Sequence, residues 1–296
     1  MQIQKKLVIL HIVNGQVCNM KKACLFVLIF VLIFNSACKK EQTKVEQNEV
    51  AKLDTIFPQD GKITFAGLQW KVIEKTEAES LNDLFYSSSS NNVFVDKDGR
   101  LHLLITKQND TWMGAYIESS DSFAFGSFFI DLETKVNEID QNSFVQFSVK
   151  REGRNIQGMT EAGINIYGKP IYLEKQYIEY YLYTTEHKFA LLKNPVIEEN
   201  YYKENLKHSI QISADAIGYS TQLDNRNIYW HTVQKGKKVK SENEDEIVYS
   251  KTGIPLKIAV GYFLDSFADS PKKDLAEIII KDIRFNATST NLAKAR

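Results

Sequence analysis

No cysteine occurs beyond residue 38, so residues 39–296 can hold no disulfide, no thiolate metal site and no cysteine nucleophile. Charge of one sign is missing too. The 37 basic residues balance 37 acidic ones, and no basic stripe faces a phosphate backbone, which excludes nucleic acid as a partner. No Gly-rich phosphate loop opens a helix and no G-x-S-x-G elbow is present, so nucleotide and serine-hydrolase chemistries lack their basic parts. His102, His187, His208 and His231 are scattered, with no pair at zinc-ligand spacing. Asp96-Lys97-Asp98-Gly99 begins like a calcium loop, but no glutamate closes it, so it reads as a hairpin turn. No cofactor is expected, with room left for a structural calcium ion elsewhere on the domain. Proline is sparse, and no segment of about 20–50 residues repeats, which excludes a solenoid.

Long apolar runs are almost absent. The longest follows Lys21 and Lys22, extends from Leu25 to Phe34, and gives way to Asn35-Ser36-Ala37-Cys38. It is too short to span a bilayer but suits the core of a secretory signal. Small residues just before a cysteine resemble a bacterial lipobox, in which that cysteine is lipidated and becomes the mature N-terminus. An ordinary signal peptide or a short anchor helix is the alternative. Met20 offers a second start, because the apolar patch from Leu7 to Val13 is not needed by a signal. The expected organisation is a signal peptide over 1–37, then lipidated Cys38 with a polar tether to residue 55, and a domain over 56–290. The protein is then extracytoplasmic, held by lipid on Cys38 to a bacterial membrane, at the outer membrane or cell surface.

From residue 60 onward, short runs of β-formers recur with almost no helical periodicity. Trp112 to Glu118 reads as one strand, Leu256 to Phe263 as another. Lys235 to Lys240 is a basic block facing the acidic block Glu242 to Glu246, which reads as a solvated hairpin loop. More than a dozen such strands predict an all-β domain, a jelly-roll β-sandwich of two antiparallel sheets with helix confined to short turns.

One strand carries candidate chemistry. In Thr160-Glu161-Ala162-Gly163-Ile164-Asn165-Ile166, alternation puts Glu161, Gly163 and Asn165 on one face. A retaining glycosidase needs two carboxyl groups about 5 Å apart, one as nucleophile and one as acid/base. This strand offers one carboxylate, a bare backbone position and an amide. The order of elements around it is similar to the jelly-roll glycosidases of glycoside hydrolase family 16, within the concanavalin A-like lectin/glucanase fold. The resemblance covers about residues 60–285 and rests on the Gly99-Arg100-Leu101-His102-Leu103 turn and strand, Phe125-Gly126-Ser127-Phe128, the Glu161 strand, His208-Ser209-Ile210-Gln211-Ile212 and the late strand from Pro255. It puts Glu161 on the family's nucleophile, Gly163 on its orienting aspartate and Asn165 on its acid/base; in the longer form of the motif that last position is Ile166. Glu138-Ile139-Asp140 also spells the motif, but it precedes a strand and reads as a solvated loop.

Sugars bind by stacking on aromatic rings while polar groups take their hydroxyls. Trp112, Tyr181, Tyr183 and Trp230 are the candidates for such contacts near Glu161, with Tyr177 beside them; Trp70 reads as core. The resemblance implies that the concave face engages a polysaccharide or glycan. Three functions stay open: a carbohydrate-binding domain that has lost the usual catalytic carboxylates, an active retaining hydrolase in which Glu161 works with an acid such as Glu118 or Glu179, and a structural or partner-binding surface lipoprotein.

Overall fold

A computed structural model describes residues 55–77, 84–151, 159–171, 176–184, 190–234, 238–240, 246–248 and 255–287. The signal segment, Cys38, the tether, His187 and the side chains of the 235–246 charge blocks lie outside the described residues.

The strands in chain order begin with β1 (Lys62–Phe65), β2 (Leu68–Val72), β3 (Val93–Val95), β4 (Leu101–Gln108), β5 (Thr111–Met113) and β6 (Ala115–Ser119). Then come β7 (Gly126–Leu132), β8 (Ser143–Arg151), β9 (Met159–Tyr167), β10 (Ile178–Thr184), β11 (Ala190–Lys193) and β12 (Lys207–Ile212). The last are β13 (Ala216–Leu223), β14 (Arg226–Gln234), β15 (Lys238–Lys240), β16 (Glu246–Val248), β17 (Leu256–Leu264) and β18 (Ala276–Ala287). The first sheet runs β1-β2-β6-β17-β8-β9-β10-β11 and the second β14-β13-β12-β7-β18-β4-β3, with β5 attached to β4. Their strand pairs are antiparallel, giving the jelly-roll sandwich expected. From the charged segment expected as a hairpin loop, the described residues Lys238–Lys240 pair antiparallel with Glu246–Val248, β15 against β16. Among the described residues helix is limited to two 3-10 turns, Val136–Glu138 and Glu199–Lys203.

Turn chemistry fixes several registers. Ala66-Gly67, Asn109-Asp110 and Asp224-Asn225 all have positive φ at both positions. They are the two-residue turns whose twist suits a hairpin, and they close β1–β2, β4–β5 and β13–β14. Trp112 to Glu118 is not one strand as expected. Buried Asn92 donates from Nδ2 to the carbonyls of Met113 and Gly114 at 2.8 and 3.2 Å, where the chain leaves β4 for the first sheet.

Burial follows the sheets. In β7 the inward residues Phe128, Ile130 and Leu132 are buried and the alternate ones are half-exposed. β17 instead reads Leu-Lys-Ile-Ala-Val-Gly-Tyr-Phe and is buried on both faces. Its inner side chains join the main core between the sheets. On the outer face Ala259 and Phe263 join Tyr116 and Phe144 in a second cluster, against which Ile73, Leu84, Tyr86 and Tyr167 pack. The main core also holds a polar chain: Tyr180 Oη meets Thr221 Oγ1 at 2.8 Å, and His208 Nδ1 meets the same oxygen at 3.0 Å. Burial lowers the His208 pKa to about 3, which keeps the ring neutral.

The Glu138-Ile139-Asp140 segment is not the solvated loop expected. Asp140 is buried, and its Oδ2 accepts the backbone N–H groups of Lys272 and Lys273, both at 2.7 Å. A carboxylate that far from water holds by satisfying backbone donors, here pinning the loop that enters β18.

A charged cluster ties the β3–β4 hairpin to β18. His102 Nδ1 lies 2.8 Å from Glu277 Oε1 and Nε2 lies 3.0 Å from Asp96 Oδ2, with the ring stacked on Phe94. Asp96 also accepts from Arg100 Nε at 2.7 Å. Burial opposes charge on His102, but Glu277 and Asp96 outweigh it and raise its pKa. Burial likewise opposes charge on Asp96, and its bonds to Arg100 and His102 overcome this and lower its pKa. The raised histidine stabilises the fold fully below its unfolded pKa of about 6.5, and that contribution fades as pH rises through the folded value. The lowered aspartate contributes above about 3.9 and fades as pH falls through its folded value. Wild type is therefore expected to exceed His102→Gln in urea-unfolding free energy by about 1 kcal/mol more at pH 5.5 than at pH 9. Comparison with the variant cancels the opposite pH response of His208, and an equal gap at both pH values counts against an imidazolium at His102.

Candidate functional site

The outer face of β8, β9 and β10 forms a grid of nine residues in register. Across the three strands, one row is Lys150, Glu161 and Tyr183; the next is Ser148, Gly163 and Tyr181; the third is Gln146, Asn165 and Glu179. The centre of the grid is Gly163, which has no side chain, and the ring of Tyr181 lies across it. A Cβ at Gly163 would come within 2.1 Å of Tyr181 Cζ, so no larger residue fits there while the ring stays. Tyr181 is fully buried and donates from Oη to Glu161 Oε1 at 2.6 Å. Burial, then the charge of Glu161, pushes the Tyr181 pKa well up, so the phenol keeps the proton it donates.

Several other groups on this face are committed in the same way. Lys150 Nζ lies 3.8 Å from Glu161 Oε2 and 4.8 Å from the centre of the Tyr116 ring. Asn165 is buried and donates to Glu179 Oε2 at 2.8 Å, and Tyr167 Oη donates to the same oxygen at 2.9 Å. Glu179 lies on the strand beside Glu161 but four residues away in register, about 14 Å between backbones. Glu118 pairs with Ala259, which pairs with Ser148, the residue opposite Gly163. That puts Glu118 three strands from β9, again about 14 Å or more away. Two-carboxylate hydrolysis needs about 5–10 Å between the carboxyl groups.

Beside Glu161 a cavity of about 500 Å³ opens, lined by Gln146, Lys150, Arg151, Thr160, Tyr183 and Thr184. Of the aromatic candidates, Tyr183 lines it, half-exposed and directly opposite Glu161. Tyr181 forms the floor rather than a free stacking face. Trp112 and Trp230 are not near this site, contrary to expectation. Trp112 sits half-buried against the main core, and Trp230 projects from the outer face of β14 in the second sheet. Tyr177 packs against that core and Trp70 is fully buried in it. The groove residues on β8 were missed by sequence reasoning. The signal was there: Gln146, Ser148 and Lys150 alternate with the apolar Val145, Phe147 and Val149.

No protein-family model and no curated protein matches the chain in sequence. Solved structures do match in fold. A β-glucanase of Bacillus licheniformis is 12% identical with a TM-score of 0.51, over 78% of this chain and 94% of that one. A glycosyl hydrolase family 16 protein of Mycobacterium smegmatis is 14% identical with a TM-score of 0.54, over 78% and 94%. An immunostimulatory antigen and pseudo-β-1,3-glucanase of Mycobacterium tuberculosis is 12% identical with a TM-score of 0.55, over 79% and 94%. The domain therefore has the concanavalin A-like jelly-roll fold of the family 16 glucanases.

The contact between Gly163 and Tyr181 is testable by a double-mutant cycle. Gly163→Ala alone is expected to cost about 2 kcal/mol of unfolding free energy, because a methyl group enters the ring of Tyr181. In a Tyr181→Ala background the same change should cost at least 1 kcal/mol less. Strict additivity in urea titrations would mean that the ring does not occupy this position.

Proposed function

We propose that this chain is an extracytoplasmic, lipid-anchored carbohydrate-binding protein, built on a glycosidase-like fold that no longer carries the usual catalytic carboxylates. The observation that carries the reading is the Tyr181 ring over Gly163. The orienting aspartate of the family has not simply been exchanged; its space is filled, and the carboxylate beside it is tied to the filling side chain. Glu161 then serves as a hydrogen-bond acceptor rather than a nucleophile. The open groove next to it supplies amide, hydroxyl, cationic and carboxylate groups with one half-exposed ring, Tyr183, the mixture that grips a polyol. Similar structures that include both a β-glucanase and a pseudo-β-1,3-glucanase support a polysaccharide as the ligand class. The apolar run before Ala37-Cys38 supports export and lipidation.

Incubated with β-glucans, galactans and host glycans, the protein is expected to bind at least one of them without releasing reducing ends. Tyr183→Ala should weaken that binding about tenfold. Release of reducing ends that Glu161→Gln abolishes would instead identify a working hydrolase. Binding of none of these sugars would favour a structural or partner-binding lipoprotein. Cys38→Ser is expected to move the protein from the membrane fraction to the soluble one, and retention in the membrane would refute the lipid anchor.

A further inference from the structure

The outer face of the second sheet carries its own row of side chains, on the opposite side of the sandwich from the groove. Trp230 pairs with Ser220, Ser220 with Ser209, Ser209 with Phe129 and Phe129 with Arg284, so one line crosses β14, β13, β12, β7 and β18. Trp230 is 67% exposed. Every other tryptophan is buried or packed on the core, so burial does not explain why an indole stands here.

The two serines lie low between the aromatic residues, less than one-tenth exposed and joined Oγ to Oγ at 2.8 Å. With strands about 4.8 Å apart, Trp230 and Phe129 flank a trough about 14 Å across. A Cβ at Gly218, in the next row, would meet nothing closer than 3.6 Å, so packing does not demand glycine there. Its effect is to lower the surface beside the indole. Uncharged donors and acceptors rim the trough, with Gln222 bonded to Asn227 at 2.9 Å and Gln211 and Thr232 flanking Gly218. The charges of this face are paired within it, Lys207 with Asp131 at 3.5 Å and Arg284 with Asp282 at 2.7 Å.

We infer that this face is a second binding site for a neutral polysaccharide chain, lying across the strands with one sugar ring stacked on Trp230. An exposed indole over a floor of hydroxyl groups, ringed by amides and neutralised charges, matches an uncharged polyol better than a protein or an anionic surface. The strand spacing is close to the length of one pyranose unit, so successive sugars meet successive strands. The inference stands apart from the groove reading, since the two sites lie on different sheets.

Tryptophan fluorescence reports this site directly, because Trp70 is buried and Trp112 half-buried. The full-length protein in detergent micelles would be titrated with a linear mixed-linkage β-glucan, a xylan and a galactan, following acrylamide quenching. One of these should at least halve the quenching of Trp230. Trp230→Ala should weaken binding of that polysaccharide about tenfold, with Trp230→Tyr restoring most of it. The Tyr183→Ala variant should keep the protection, which separates this site from the groove. Binding that Trp230→Ala abolishes and Tyr183→Ala leaves untouched would support this site and sink the groove. The inference is overturned by unchanged quenching with all three polysaccharides, or by protection that vanishes in Tyr183→Ala. Protection that rises with protein concentration alone also overturns it, since a second copy would then cover β14.

Discussion

An aromatic ring laid flat over a glycine is the contact on which the outer face of the first sheet depends. Tyr181 covers Gly163, and Phe263 covers Gly261 in the same way, with a Cβ at Gly261 falling 2.2 Å from its ring. Each glycine lets a large side chain bend down onto the sheet instead of standing up from it. The face is therefore paved, and dispersion contacts between these side chains hold its surface together. The Tyr181 hydroxyl finds its acceptor in Glu161, because a phenol buried without a partner would be costly. Glu161 is in this sense a consequence of the paving as much as a feature of the groove.

Paving also explains why β17 is buried along almost its whole length, with Lys257 as its one charged residue. A strand with one wet face alternates, whereas β17 has the main core on one side and the aromatic cluster on the other. The polar groove lies toward one end of β8, β9 and β10, where Lys150 sits over the Tyr116 ring at the border of that cluster. Charged side chains elsewhere do structural work: Asp140 holds a loop by its backbone, and His102 bridges a hairpin to β18.

Strand alternation made most of the fold legible, because β-formers in short runs leave few other architectures. It also put Glu161, Gly163 and Asn165 on one face, and the register confirms that geometry. What alternation cannot carry is which sheet a strand joins. Trp230 and Tyr183 both read as aromatic positions on strands of one kind, yet β14 ends the second sheet and β10 lies next to the edge of the first. Trp112 misled for a related reason, since its strand changes sheets at Gly114. Asp140 looked solvated because a buried carboxylate is legible only once its partners, 132 and 133 residues away, are brought beside it. The roofing of Gly163 by Tyr181 has the same origin, a cross-strand contact between residues in different segments.

The positions of β17 and β18 have a consequence for how the chain reaches this structure. β17 lies between β6 and β8, and β18 lies between β4 and β7, so the last two strands of the domain fill the middle of both sheets. Before residue 256 is available, each sheet exists only as separate halves with bare edges, prone to pair with other chains. These are contacts of long sequence separation, and neither sheet can close before β17 and β18 are available. A polypeptide that cannot fold early stays extended long enough to be threaded through a membrane. Late closure, a hazard for a protein that folds where it is made, agrees with the export proposed above.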